Sequence, residues 1–323
     1  MTSRPRPVRR LAATGALTLI VLVTWRVAAG PPLLPAPPKP PPAHRNVRYG
    51  PHERNVLDLW RARPTPDRPG TPLVVFFHGG GFRQGDKSSL PARLLLDCLA
   101  AGISVATANY RFSQDAPYPA PMLDGARAIQ YLRAHAKEFG IDPDRIAASG
   151  SSAGAGISLW LAFHDDIADS ASPDPVLRQS SRLSCAGVDG AQTSYDPRFI
   201  RQVIGGRAHE HPALKPFFGL DDCDHETPRA DHAFRDASPI EHVTANDPPV
   251  LLYYAEPDRP IPTDARPGQG IHHPRFGRAL RAKLEPLGVS CELRHMADLP
   301  PGTDHNSAIA RDLTDFFARN LLP

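Results

Sequence analysis

Sulfur is scarce in this chain, and acid is absent from its beginning. Its 323 residues include four cysteines and three methionines, and the first fifty positions hold no aspartate or glutamate. Cys98, Cys185, Cys223 and Cys291 show none of the paired spacings that hold zinc, so a zinc-stapled scaffold is excluded. In an oxidising compartment they allow one or two disulfides, with three ways of pairing all four. Cys185 and Cys291 fall in apolar, strand-like contexts that suit a free buried thiol. The acid-free first fifty residues carry eight Lys and Arg, so a net charge of +3 for the chain leaves about −5 for the remainder. A mildly acidic body lacks the basic footprint of a nucleic-acid partner. No internal repeat is visible, which argues against a solenoid or propeller.

The N-terminus has the order of an export signal. Arg4, Arg6, Arg9 and Arg10 precede an uncharged run from Leu11 to Trp25, closed by Arg26. Fifteen residues suit a signal-peptide core and fall short of the roughly 20 that a membrane-spanning helix needs. Val27-Ala28-Ala29 supplies small residues for cleavage, so residues 1–29 read as a signal peptide or, with Arg26 snorkelling, as an N-terminal membrane anchor. No cysteine follows the run, which argues against a lipoprotein. Residues 30–45 form a proline-rich linker, with eight prolines between Pro31 and Pro42, a composition that favours stiff polyproline II. The expectation is an exported protein, released or tethered to a membrane and facing outside, whose body occupies residues 46–323.

Within that body, apolar and β-branched runs at Leu73–Phe77, Ser104–Ala108, Ile146–Ser149, Cys185–Val188, Val250–Tyr254 and Cys291–His295 read as strands. Helical spacing falls between them, around Ser89–Ala101, Met122–Phe139, Phe276–Leu287 and Ala308–Leu321, and a hairpin precedes them at Val47–Tyr49 and Val56–Trp60. This alternation predicts an α/β fold, a mostly parallel central sheet with helices on both faces. Two stretches break it: the polar loop Asp165–Leu183, and a proline- and charge-rich stretch, 195–242, expected to be a small lid or cap insertion.

Two motifs carry chemistry. Gly150-Ser151-Ser152-Ala153-Gly154 follows the strand-like Ile146–Ser149 and opens the helical stretch from Ile157 to Phe163. This G-x-S-x-G pattern suits a strand-turn-helix so tight that the Ser152 hydroxyl clears the backbone. His78-Gly79-Gly80-Gly81-Phe82 directly follows the strand-like Leu73–Phe77. Successive glycines there let backbone N–H groups approach an oxygen that gains charge when a carbonyl becomes tetrahedral.

With Ala108-Asn109-Tyr110-Arg111-Phe112, Pro117-Tyr118-Pro119-Ala120, Asp124 and Phe139-Gly140-Ile141-Asp142-Pro143, these motifs resemble the hormone-sensitive-lipase-like branch of the α/β-hydrolase esterases. The match resumes near Pro248 and runs to the C-terminus, covering about two thirds of the chain. It implies the α/β-hydrolase fold, Ser152 as nucleophile, and an oxyanion hole made by the N–H groups of Gly80, Gly81 and Ala153.

A serine hydroxyl needs a base and a group to orient that base, and α/β-hydrolases supply them in the order serine, acid, histidine. His305, in Gly302-Thr303-Asp304-His305-Asn306 just before the final helix, sits where the resemblance places the base; His295, at the end of a strand, competes. Counting back from Ile261-Pro262 puts the acid at Asp258, with Glu256 as the alternative; Arg259 stands where the family has proline. The unusually long gap to His305, containing Arg266 to His273, reads as a loop insertion near the site. Asp221-Asp222-Cys223-Asp224-His225-Glu226 could hold a divalent ion or be a solvated acidic lid loop.

The expected function is a serine esterase acting through an acyl-enzyme on short-chain or plant-wall-type carboxylic esters, small or linked to polysaccharide. It would need no cofactor or resident metal. The alternatives are an exopeptidase-like hydrolase, disfavoured because such enzymes usually carry a large extra domain, and an inactive hydrolase fold used for binding.

Overall fold

The computed structural model describes residues 37–64, 70–220 and 227–322. The export segment 1–29, the start of the linker, and the acidic cluster 221–226 with Cys223 lie outside the described residues.

Eight strands form one sheet: β1 (His44–Arg48), β2 (Val56–Trp60), β3 (Thr71–Phe77), β4 (Ser104–Ala108), β5 (Ile141–Ser151), β6 (Cys185–Asp189), β7 (Val250–Tyr254) and β8 (Cys291–His295). Their spatial order is β1-β2-β4-β3-β5-β6-β7-β8, antiparallel at β1/β2 and β2/β4 and parallel from there on. This is the α/β-hydrolase fold that the resemblance implied.

The central strand β3 explains why the sheet is covered on both sides. All seven of its residues are buried. Leu73, Val75 and Phe77 enter one core, and Val74 and Phe76 enter the other, as the two-residue period of a strand requires. The first core takes in α2 (Ala120–Ala134), α3 (Ala136–Phe139) and α4 (Ala153–Phe163); the second takes in α1 (Ala92–Ala100) and the last helix, α9 (His305–Leu321). Every residue of α4 is buried, so a helix apolar on all sides runs back beneath the sheet from the serine turn.

Among its described residues the region 195–242, expected to be a lid or cap insertion, folds into three short helices, α5 (Pro197–Val203), α6 (Leu214–Phe218) and α7 (Pro228–Ala237). Proline opens α5 and α7 and sits inside α6, which hides their periods in the sequence. Phe217, Phe218 and Phe234 anchor α6 and α7 onto the first core. Helix α8 (Arg275–Leu284) then covers β8. Cys98 and Cys185 are buried free thiols and Cys291 a half-buried one. Among the described residues no helix is long and apolar enough to cross a membrane.

Candidate active site

β5 delivers Ser152 to the C-terminal edge of the sheet. Ser152 has φ 51° and ψ −118°, a conformation that L-residues rarely adopt and that closely packed surroundings must hold in place. Its N–H donates to the carbonyl of Asp189 on neighbouring β6 (3.0 Å). Gly150 and Gly154 are glycine for lack of space: a Cβ on Gly154 would collide with the Phe77 carbonyl, and one on Gly150 with the backbone of Gly154.

The glycine loop after β3 is braced by its histidine. His78 Nδ1 donates to the Gly79 carbonyl (2.7 Å), and Arg54 donates to His78 Nε2 (3.2 Å). The ring stacks on Tyr110, whose hydroxyl donates to the His78 carbonyl (2.7 Å). Burial pushes His78 down to about 4, so it stays neutral and structural. Gly80 and Gly81 both have positive φ and line the same cavity as Ser152, while Ala153 is the first residue of α4. None of these three N–H groups is spent on a loop or turn hydrogen bond.

The partner of Ser152 differs from the sequence expectation. His272 Nε2 lies 2.9 Å from Ser152 Oγ. On the other side of the ring, Glu256 Oε1 lies 3.8 Å from Nδ1 and accepts the His272 backbone N–H (3.4 Å). Serine, Glu256 and His272 still follow one another in the required order, but the histidine comes from the insertion after β7. The insertion is pinned at several points. His273, fully buried, donates from Nε2 to the Arg259 carbonyl (3.0 Å), and Gln192 Nε2 donates to the Ile271 carbonyl (2.9 Å). His295 donates to the Glu256 carbonyl (2.8 Å), so the rival base braces the backbone of the acid.

His305 and Asp258, expected as base and acid, are placed elsewhere. Asp304 caps α9, accepting the Asn306 N–H (3.2 Å) and the Ser307 hydroxyl (2.6 Å). That cap makes His305 the exposed first residue of a helix, not a residue of the preceding loop. Asp258 is exposed and held by a two-pronged ion pair with Arg278 (2.5 and 2.6 Å), which also lowers its pKa. An acid so occupied is not offered to a histidine. His272 was not among the bases read from the sequence; the insertion near the site that contains His272-His273 is the one signal that could have found it, and nothing in the sequence singled out Gln192.

Burial, with His211 nearby as a lesser cause, pushes the His272 imidazole down to about 4. A base with a lowered pKa is neutral, hence competent, over a wider acidic range. For ester hydrolysis by this site, kcat/KM should therefore rise with pH through an ionisation below the ordinary histidine value of about 6.5. A pH–rate profile from 3.5 to 9 checks this; a limb at 7 or above would show that His272 is not the titrating group.

Ser152 opens into a cavity of about 280 Å3. Phe82, Tyr195, Leu214 and Phe217 form an apolar wall, and Gln84 and His211 a polar one. Phe82 stacks on Phe217, so α6 and the glycine loop shape the pocket together.

A family model described as BD-FAE matches residues 57–266. Esterase LipC of Mycobacterium tuberculosis is 29% identical over 254 residues, which cover 71% of this chain and 57% of LipC. Probable carboxylic ester hydrolase LipM of the same organism is 29% identical over 227 residues, covering 69% and 50%. The chain thus spans little more than half the length of these curated relatives. A solved structure titled as a truncated form of carbohydrate esterase from gut microbiota aligns with a TM-score of 0.63 at 19% identity, covering 86% of this chain and 96% of that one. That likeness is one of fold.

Proposed function

The chain belongs to the BD-FAE family, and from that premise we propose that it is a carboxylic ester hydrolase working through an acyl-enzyme on Ser152. The observation that carries the proposal is the 2.9 Å contact between Ser152 Oγ and His272 Nε2 at a serine held in a strained turn. Ser152 Oγ attacks the ester carbonyl while its proton passes to His272 Nε2. The carbonyl oxygen becomes an anion facing the N–H groups of Gly80, Gly81 and Ala153, each worth about 3–4 kcal/mol in the transition state by analogy with measured oxyanion donors. Collapse expels the alcohol, which takes the proton from His272. Water then repeats the sequence on the acyl-enzyme and frees the acid. Glu256 stabilises the imidazolium and holds its proton on Nδ1. The 3.8 Å separation is wider than a hydrogen bond and needs only a small closure when substrate binds.

The pocket supports a substrate class. A volume of about 280 Å3 sits at the lower edge of the roughly 300–1,000 Å3 usual for small-molecule sites, which suits a short acyl group. The aromatic wall fits an acyl or aryl group, and the polar wall at Gln84 and His211 fits a hydroxyl-bearing alcohol such as a sugar. Export, through the N-terminal segment, would bring the enzyme to such esters outside the cell. Rates on p-nitrophenyl acetate, butyrate and decanoate test the size limit. We expect kcat/KM to fall at least about tenfold from butyrate to decanoate, because methylenes beyond the pocket lose binding of roughly 1 kcal/mol or more each. A rise through decanoate would overturn the short-chain assignment. Acetylated xylan and methyl ferulate, compared in parallel, separate acetyl from aryl preference.

A further inference from the structure

A second cluster lies outside the Ser152 cavity, where α4 ends against the cap. His164 follows the last residue of α4, Asp236 is near the end of α7, and His242 follows the short turn after α7. One ligand atom from each lies within 4.8 Å of the other two, and all three side chains are half-buried. The hydrogen bonds around them decide where the protons are. His164 Nδ1 faces the Asp165 carbonyl (2.9 Å), and His242 Nε2 faces the Asp236 main-chain carbonyl (2.7 Å). A carbonyl can only accept, so each of those nitrogens carries its ring's proton. In the neutral rings this leaves lone pairs on His164 Nε2 and His242 Nδ1.

Asp236 is fixed as firmly. Its Oδ2 accepts the Tyr118 hydroxyl, and its main-chain carbonyl also accepts Trp160 Nε1 (2.9 Å). Its Oδ1 receives no hydrogen bond and faces His164 Nε2 at 3.8 Å. Two groups that can accept therefore face each other at a half-buried site, and the two imidazole rings lie 4.7 Å apart. A cation bound between them would be shared by both. Stacking on Trp160 (4.0 Å) holds the His164 ring in place for it.

We propose that His164, Asp236 and His242 form a binding site for a divalent transition-metal ion of the zinc type. Two imidazole nitrogens and one carboxylate oxygen are the donor set such ions prefer, with water completing the shell. The carbonyl contacts at the far nitrogens orient metal-binding histidines in the usual way. A tetrahedral ion with bonds of about 2.0–2.1 Å holds its ligands about 3.3 Å apart, so His164 and Asp236, 3.8 Å apart, need to close by about half an ångström, and a pair at the 4.8 Å limit of the cluster by about one and a half. Because His164 sits at the end of the helix that begins beside Ser152, a bound ion would tie that helix to the cap carried by α7. The expected role is to fix the cap, not to take part in ester cleavage.

The test uses the full chain stripped with a chelator and titrated with ZnCl2 by calorimetry, then with CoCl2 by visible absorption. We expect one ion per chain, a raised melting temperature with zinc, and cobalt bands of a nitrogen- and oxygen-ligated site. His164→Gln and His242→Gln should each weaken zinc binding by about a hundredfold or more and abolish the thermal shift, since each removes one of three protein ligands. The melting temperature of each metal-free variant shows whether it is folded. Ester hydrolysis without metal should be the same in both variants as in the parent. The proposal is overturned if the parent binds no zinc. It is equally overturned if the double variant binds zinc as well as the parent, which places the ion elsewhere.

Discussion

Ser152→Ala lowers kcat by about four to six orders of magnitude and leaves the melting temperature near that of the parent, because nucleophile and base act as a unit. The physical reason for the retained fold is local. The strain at Ser152 is borne by the backbone, and alanine keeps the same Cβ in the same φ/ψ, so only the hydroxyl and its 2.9 Å contact with His272 are lost. Ser151→Ala, one residue earlier at the end of β5, should change kcat less than about tenfold, since its hydroxyl takes no part in the unit. Covalent labelling by a fluorophosphonate gives an independent readout. The parent should take up one label per chain and Ser152→Ala none. Labelling of Ser152→Ala at a normal rate would move the nucleophile to another serine and remove the basis of the proposed chemistry.

His272→Ala should lower kcat by a similar four to six orders of magnitude and abolish the acidic limb of the pH profile, whereas His305→Ala should leave kcat within about threefold. The decision rests on reach. His272 Nε2 contacts Ser152 Oγ, while His305 is the exposed first residue of α9 behind the Asp304 cap. The acids should separate in the same way. Glu256→Gln should cost about two to four orders of magnitude in kcat with KM little changed, because the carboxylate acts chiefly once His272 is charged. Asp258→Asn should cost less than about tenfold, since its loss releases Arg278 on the surface. If His305→Ala and Asp258→Asn proved the inactive pair, the insertion carrying His272 would have to leave the site before catalysis, and the roles would pass to those two residues.

The strands, the serine turn and the glycine loop were legible in the residues alone. Each depends on short-range constraints that the residues carry with them. The unbroken apolar run Leu73–Phe77 can only be buried on both faces, and Gly150 and Gly154 stand where the serine turn and the end of β3 pass too closely for a side chain. Which histidine meets Ser152 depends on the folded loops. His305, His295 and His272 all follow the serine and the acid in the chain, so their order does not separate them. The choice turned on irregular backbone, where no periodicity predicts direction. An Asx cap drew His305 into α9, a two-pronged Arg278 contact engaged Asp258, and His273 with Gln192 folded the insertion back until His272 met the serine. The same holds for His164, Asp236 and His242: no spacing joins them in sequence, and only the contact of Asp236 and the turn after α7 with the end of α4 brings these side chains together. Local geometry is written residue by residue, but the meeting of distant side chains depends on how loops close over a core, a sum of many weak contacts that no short stretch of sequence contains.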